Sequence, residues 1–213
     1  NVINEIVNIE TAYHFIDLQV KSIKNITEQK DYHGIRIKML GAISNTKTPF
    51  DIDIGIGDVI VPHAESRRIG VQISGFESPN ILTYSLESTI SEKWDAIISR
   101  METTSRMKDY YDIYYLACHY DFEGKILKDA LLNTLINRKT FFDETSIVRV
   151  SSMCNDVDME KRWRSFSINS LEVDLEFKIV VDMVVQFIRK PMNAIINEKD
   201  FLEDWHSKDR TYK

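Results

Sequence analysis

The spacing of apolar residues changes once along this chain of 213 residues, and the change limits the folds open to it. Between Phe50 and Gly57, apolar residues alternate strictly with aspartates and glycines, which predicts a strand with one apolar and one polar face. Residues 15–26 and 35–40 alternate in a similar way. Because turns separate these stretches, we expect an antiparallel meander. A further strand is expected at 69–76.

The segment 91–116 predicts two helices joined by a short polar loop, because its apolar residues recur at helical spacing. Thr89 and Glu92 fit a capping box at the start of the first helix. Both helices carry charges beside the apolar stripe, at Lys93 in the first and Asp109 in the second. Taken singly, residues such as Lys93 are best interpreted as solvated charges at the edge of a helix.

Helical spacing continues after residue 118. It predicts helices at 125–138, 159–166 and 171–189, the last ended by Pro191. We therefore predict an α+β fold in which a mixed or antiparallel sheet precedes a C-terminal helical lobe.

The same change of spacing suggests how the chain divides. The predicted domains are 1–118, which contains the sheet and the paired helices, and 119–213, which is helical.

Composition excludes some classes of protein. A net charge of −6 argues against a protein that coats DNA, which would need many phosphate contacts. The two cysteines fit no disulfide or metal framework, so a cytoplasmic location is expected. No apolar run reaches membrane-spanning length and no signal peptide is visible.

Since the first residue is Asn1, we expect the sequence to begin inside a domain.

Asp51 and Asp53 lie on the polar face of the strand predicted at 50–57. Carboxylates placed in this way can bind a hard divalent cation. They can equally face water, which is the usual arrangement on an antiparallel sheet. The strand alone leaves both interpretations open.

Four blocks of polar residues and glycines follow one another in a fixed order. They are Tyr32-His33-Gly34-Ile35-Arg36, Asp53-Ile54-Gly55-Ile56-Gly57-Asp58, Glu92-Lys93 and Ser105-Arg106-Met107-Lys108-Asp109-Tyr110-Tyr111-Asp112. Their order and spacing resemble the AbiEii/AbiGii toxin family of nucleotidyltransferases over residues 30–118, with weaker similarity to about residue 165.

This resemblance implies a polymerase-β-like nucleotidyltransferase fold and a role for each matched residue. Asp53 matches the third of three carboxylates that bind Mg²⁺ or Mn²⁺. Lys93 would neutralise the triphosphate of an NTP. Asp109 would orient Lys93 or the acceptor, while Arg106 and Lys108 would hold phosphate or ribose. Asp53, Lys93 and Asp109 should then face one cleft.

One part of the family pattern is missing. The early glycine-rich turn followed by an Asp-x-Asp strand is not matched. Leu40-Gly41-Ala42 followed by Asp51-Ile52-Asp53 has a tolerable spacing for this motif, but Ala42 stands where Ser or Gly is expected and no third carboxylate strand follows. We therefore expect an upstream segment to supply the motif, together with a strand beside 50–57. Without that segment the metal site would be incomplete.

The resemblance implies a bacterial toxin, from a toxin–antitoxin or phage-defence pair, that transfers a nucleotide to RNA, expected to be tRNA. Its partners would be the NTP, the RNA and a cognate antitoxin. Two alternatives stay open: transfer onto a protein hydroxyl, and a non-catalytic binding module with a degraded active site.

Overall fold

The computed structural model describes residues 2–9, 15–27 and 33–213, and it confirms the predicted α+β class. The chain forms two compact units, Asn1–Asp58 and Val59–Lys213. Asn1 and Tyr32 themselves lie outside the described residues. The predicted functional division at residue 118 differs from this spatial division and stays a prediction.

The first unit is a three-stranded antiparallel sheet with a short helix, as the alternating patterns predicted. Its strands lie in the order β1-β2-β3. The elements are α1 Val2–Val7, β1 Ile16–Thr27, β2 His33–Ile43 and β3 Thr46–Ile56.

Register gives the sheet one apolar and one charged face. Ile37 lies opposite Ile23 on β1 and Ile52 on β3, so these three side chains share a face. One residue along, Arg36 lies opposite Asp53, and this row faces the other way. The charged face therefore carries Arg36 and Asp53, two of the residues that matched the family pattern.

The second unit contains two short β-hairpins and six α-helices among its described residues. The elements are β4 Glu65–Arg68, β5 Asn80–Thr83, α2 Leu86–Arg100, α3 Met107–His119, α4 Gly124–Asn137, α5 Glu144–Ser152, α6 Val157–Phe166, α7 Phe177–Ile196, β6 Trp205–His206 and β7 Thr211–Tyr212.

Helix α7 is the centre of the second unit's core. It packs against α3, α4, α5 and α6, and most of its apolar side chains are buried. Trp94, Trp163 and Trp205 are fully buried in the same core. The tryptophans are thus core residues of the second unit.

Two local predictions near the start of α2 were wrong. Residues 69–76 form no strand; they belong to the connection between β4 and β5, where Gly75 takes a positive φ of 92° that interrupts extended backbone. The helix also begins before the predicted capping box. Ser85 is the N-cap, and its Oγ accepts a hydrogen bond from the backbone N–H of Ser88.

The prediction that Pro191 ends the last helix was also wrong, because α7 continues through it to Ile196. A proline has no N–H to donate to the carbonyl four residues earlier, here that of Phe187. The hydroxyl of Tyr212 donates to this carbonyl instead, at 2.5 Å. Tertiary contact thus replaces the hydrogen bond that Pro191 removes.

We expect Tyr212→Phe to destabilise the second unit by about 1–3 kcal/mol, because it leaves the buried carbonyl of Phe187 without its side-chain donor. Urea unfolding followed by circular dichroism measures the difference. Tyr120→Phe is the control, since Tyr120 is exposed and its change should stay within about 0.5 kcal/mol. Equal stability of the two variants would contradict this account of Pro191.

Candidate active site

Helices α2 and α3 bring together charges that are far apart in sequence. Lys93 on α2 places its Nζ 2.5 Å from Asp112 Oδ2 and 3.4 Å from Asp109 Oδ1, both on α3. Arg106 and Lys108, at the start of α3, complete the group. We call these five residues the Lys93 cluster.

Asp109 is the buried centre of the Lys93 cluster, with only 2% of its surface exposed. Arg106 donates to its carboxylate from Nε at 2.5 Å and from Nη2 at 3.4 Å. Lys93 approaches the same carboxylate from α2. One buried anion therefore holds two cations in place, as charge-assisted hydrogen bonds do when a carboxylate is shielded from water.

The cations of the Lys93 cluster are more accessible than Asp109. The side chain of Arg106 is half exposed, that of Lys108 is 73% exposed and that of Lys93 is 18% exposed. The cluster therefore presents three cations with surface open to solvent. Such a surface attracts an anion such as a phosphate group.

Arg138 and Thr140, which follow α4, each make a hydrogen bond to α2. The sequence did not predict these two contacts. Arg138 donates to the carboxylate of Glu92, the residue next to Lys93. Thr140 donates its hydroxyl to the buried carboxylate of Asp95, one turn further along α2. Both pairs join residues about 45 positions apart in sequence, so no local pattern could have revealed them.

In the first unit, Asp53 makes a bidentate ion pair with Arg36. Nε and Nη2 of Arg36 donate to Oδ1 and Oδ2 of Asp53 at 2.7 and 2.6 Å. Asp51 lies on the same face, with a carboxylate oxygen 3.9 Å from Arg36 Nε. The hydrogen bonds from Arg36 lower the pKa of Asp53, and they raise the pKa of Arg36.

We expect Arg36→Met to raise the pKa of Asp53 back toward its ordinary value. Because the folded-state pKa is lowered, this ion pair stabilises the fold above the ordinary Asp range and is lost as pH falls through the folded pKa. Carbon-detected NMR titration of the carboxylates measures the shift. Asp143 is the internal control, since its pKa is lowered by the hydroxyl of Thr145 and should not respond.

The described residues do not by themselves fit a divalent cation. No three His, Cys, Asp or Glu side chains within residues 2–9, 15–27 and 33–213 come together as metal ligands. Both oxygens of Asp53 accept hydrogen bonds from Arg36. The role of Asp53 as a metal ligand stays a prediction, as does its convergence with Lys93 and Asp109, because Asp53 lies in the other unit.

The second unit also has a cavity of about 410 Å³, lined by Ser151 of α5 and by residues of α7 and the C-terminal hairpin. None of its lining residues belongs to the Lys93 cluster.

Across the described ranges, no helix is both long and apolar enough to cross a membrane.

Two crystal structures from Helicobacter pylori resemble this chain weakly. One, a candidate nucleotidyltransferase, has 13% identity and a TM-score of 0.39, and the match covers 84% of this chain and 69% of that one. The other, JHP933, has 14% identity and a TM-score of 0.40, with 86% and 71% covered. Among curated proteins, none matches the sequence.

The model of one protein family matches residues 2–183, which is most of the chain and includes α1 to α6 and the start of α7. The matched range contains every residue of the Lys93 cluster, together with Arg36 and Asp53. The chain therefore belongs to the family of the nucleotidyl transferase AbiEii toxin of type IV toxin–antitoxin systems.

Proposed function

We propose that this protein is a toxin that transfers a nucleotide from an NTP to an RNA acceptor, with tRNA as the expected acceptor. The Lys93 cluster carries this proposal. A buried Asp109 holds Lys93 and Arg106 in position, while both cations keep exposed surface toward solvent. This arrangement suits a group that must bind phosphates in one fixed geometry.

Catalysis of nucleotide transfer depends largely on stabilising the negative charge of the phosphates. Phosphate oxygens gain negative charge or redistribute it during the reaction, and fixed cations stabilise that charge without reorganising. Lys93 would act as a point charge on the triphosphate, and the guanidinium of Arg106 can contact two oxygens at once. Asp109 acts through these cations as a positioning residue, because its own oxygens are occupied.

Nucleotidyl transferases are expected to use an NTP together with Mg²⁺ or Mn²⁺, and the metal would supply positive charge to the phosphates. Asp53 is the residue that matches a metal ligand in the family pattern. Since the described residues provide no three-ligand site, the proposal rests on the Lys93 cluster and not on Asp53.

The cellular setting is part of the proposal. A type IV toxin implies an antitoxin partner. We place the toxin in the bacterial cytoplasm, where NTPs and tRNA are available.

The test is to incubate the protein with each labelled NTP, Mg²⁺ and total tRNA. Label that co-migrates with tRNA is the expected result. Label on protein would instead support transfer onto a protein hydroxyl. NTP binding without any transfer would support a non-catalytic binding module, and both outcomes would contradict the proposal.

A further inference from the structure

One exposed side of α3 carries aromatic residues at successive turns. Tyr111, Tyr115 and His119 follow one another at intervals of four residues, which places them on the same side of the helix. We call these residues the α3 aromatic stripe. Lys108 lies one turn before Tyr111 on this side, so the stripe begins next to the Lys93 cluster.

The rings of the α3 aromatic stripe are in contact with one another. The centroids of Tyr115 and His119 are 4.1 Å apart in a stacked arrangement. Those of Tyr111 and Tyr115 are 6.2 Å apart and tilted. The helix geometry thus holds three flat side chains in one continuous row.

Tyr111, the first residue of the α3 aromatic stripe, is held in place by contacts with the core. Tyr111 packs edge-on against Phe166 of α6, with centroids 6.4 Å apart. Phe166 in turn packs against the fully buried Trp163 at 5.6 Å. Little conformational freedom is therefore lost if a ligand binds to the outer rings.

The outer end of the row faces solvent. Tyr115 is 41% exposed, and His119 is exposed as well. Asp112 is the carboxylate on this side of α3, and Lys93 lies 2.5 Å from it, so its charge is compensated. Exposed aromatic rings beside accessible cations are the combination that binds single-stranded nucleic acid.

We propose that the α3 aromatic stripe stacks the unpaired bases at the end of the RNA acceptor, while Lys108 contacts its backbone. This inference rests on the proposed function, because it assigns the acceptor side of the same site. The eight residue steps from Tyr111 to His119 span about 12 Å of helix, which is room for about three bases stacked at roughly 3.4 Å each. Unpaired bases stack on aromatic side chains, whereas paired bases in a duplex cannot.

Fluorescence anisotropy with a short labelled single-stranded RNA ending in CCA tests the proposal on the full chain. Tyr115→Ala and His119→Ala should each weaken binding by about fivefold or more, because each removes a stacking surface. Tyr115→Phe keeps the ring and should bind as the unchanged protein does. A blunt RNA duplex should bind weakly to all variants.

Tyr120→Ala is the matched control. Tyr120 is 44% exposed, close to the 41% of Tyr115, but it follows the end of α3 and lies off the stripe. Its removal should leave RNA binding unchanged. Equal binding by Tyr115→Ala and Tyr120→Ala, or equal affinity for duplex and single strand, would overturn the proposal.

A second measurement separates this inference from the proposed function. NTP binding, measured by calorimetry, should be the same in Tyr115→Ala as in the unchanged protein, because the stripe does not contact the triphosphate. If the unchanged protein transfers nucleotides to tRNA and Tyr115→Ala does so equally well at limiting tRNA, the stripe assignment fails while the function stands. If the unchanged protein neither binds RNA nor transfers a nucleotide to it, both fail.

Discussion

Replacing Lys93 with alanine is expected to lower nucleotide transfer by at least about 10²-fold, the loss typical of removing one fixed charge or donor from an active site. Lys93 sits where two carboxylates of α3 hold it, and its side chain keeps 18% of its surface exposed. The remaining cations cannot take its place, because Arg106 and Lys108 lie on α3 and not on α2. Transfer to labelled tRNA at saturating NTP measures the effect.

The same change should cost little stability. Asp109 still accepts from Arg106, and Asp112 still has Lys108 at 3.7 Å. We expect a loss of about 1–2 kcal/mol, between the values for exposed and buried ion pairs. Urea unfolding of the purified variant gives this number and shows that lost transfer is not lost folding.

Lys178→Ala is the matched control for Lys93→Ala. Lys178 also makes a helix ion pair, with Asp182 Oδ2 at 2.6 Å, but on an exposed part of α7 outside the Lys93 cluster. It should transfer nucleotides at the unchanged rate. Lys93→Ala activity equal to that of Lys178→Ala would remove the basis for a catalytic role of the cluster.

The second large effect is expected for Asp109→Ala, which should cost about 2–4 kcal/mol of stability and also abolish transfer. The carboxylate is almost fully buried and accepts from both Lys93 and Arg106. Removing it leaves two neighbouring cations without the anion between them, and like charges then repel. The cost is below that of a fully buried pair, because both cations have some access to solvent.

A double-mutant cycle assigns the effect to the contact. If Asp109 acts by positioning Lys93, the stability and activity losses of Lys93→Ala and Asp109→Ala should not add in the double variant. Asp182→Ala is the control, since it removes the exposed partner of Lys178 and should leave stability nearly unchanged. Full additivity of the two activity losses would show that Asp109 and Lys93 act independently.

Much of the architecture could be read from residue spacing. The alternation around Ile52 and Ile54 predicted β3 and its two faces, because successive side chains of any strand point to opposite sides. The helical spacing of Trp94 and Ile97 predicted α2 and its buried face. The four blocks of polar residues predicted the family, which the match over residues 2–183 confirmed. The strand and helix predictions succeeded because they depend on residues that are close together in the sequence.

Charges were harder to interpret from sequence. Lys93 and Asp109 each look like solvated edge residues when taken alone, and only the packing of α2 on α3 places Asp109 out of water between two cations. Burial strengthens the attraction within an ion pair, because the dielectric constant around it is lower. Whether a residue is buried depends on contacts with residues far away in the sequence. The pairing of Arg138 with Glu92 was missed for the same reason.

The sequence by itself determined the α+β class, the positions of most helices and strands, and the family. Tertiary structure alone decided which charges are buried and that α7 continues past Pro191. Pro191 shows the physical reason most directly. Its missing N–H predicts the end of a helix, yet the hydroxyl of Tyr212, 21 residues further along, satisfies the carbonyl of Phe187 and α7 continues. A hydrogen-bonding group needs a partner, but the partner need not come from nearby in sequence.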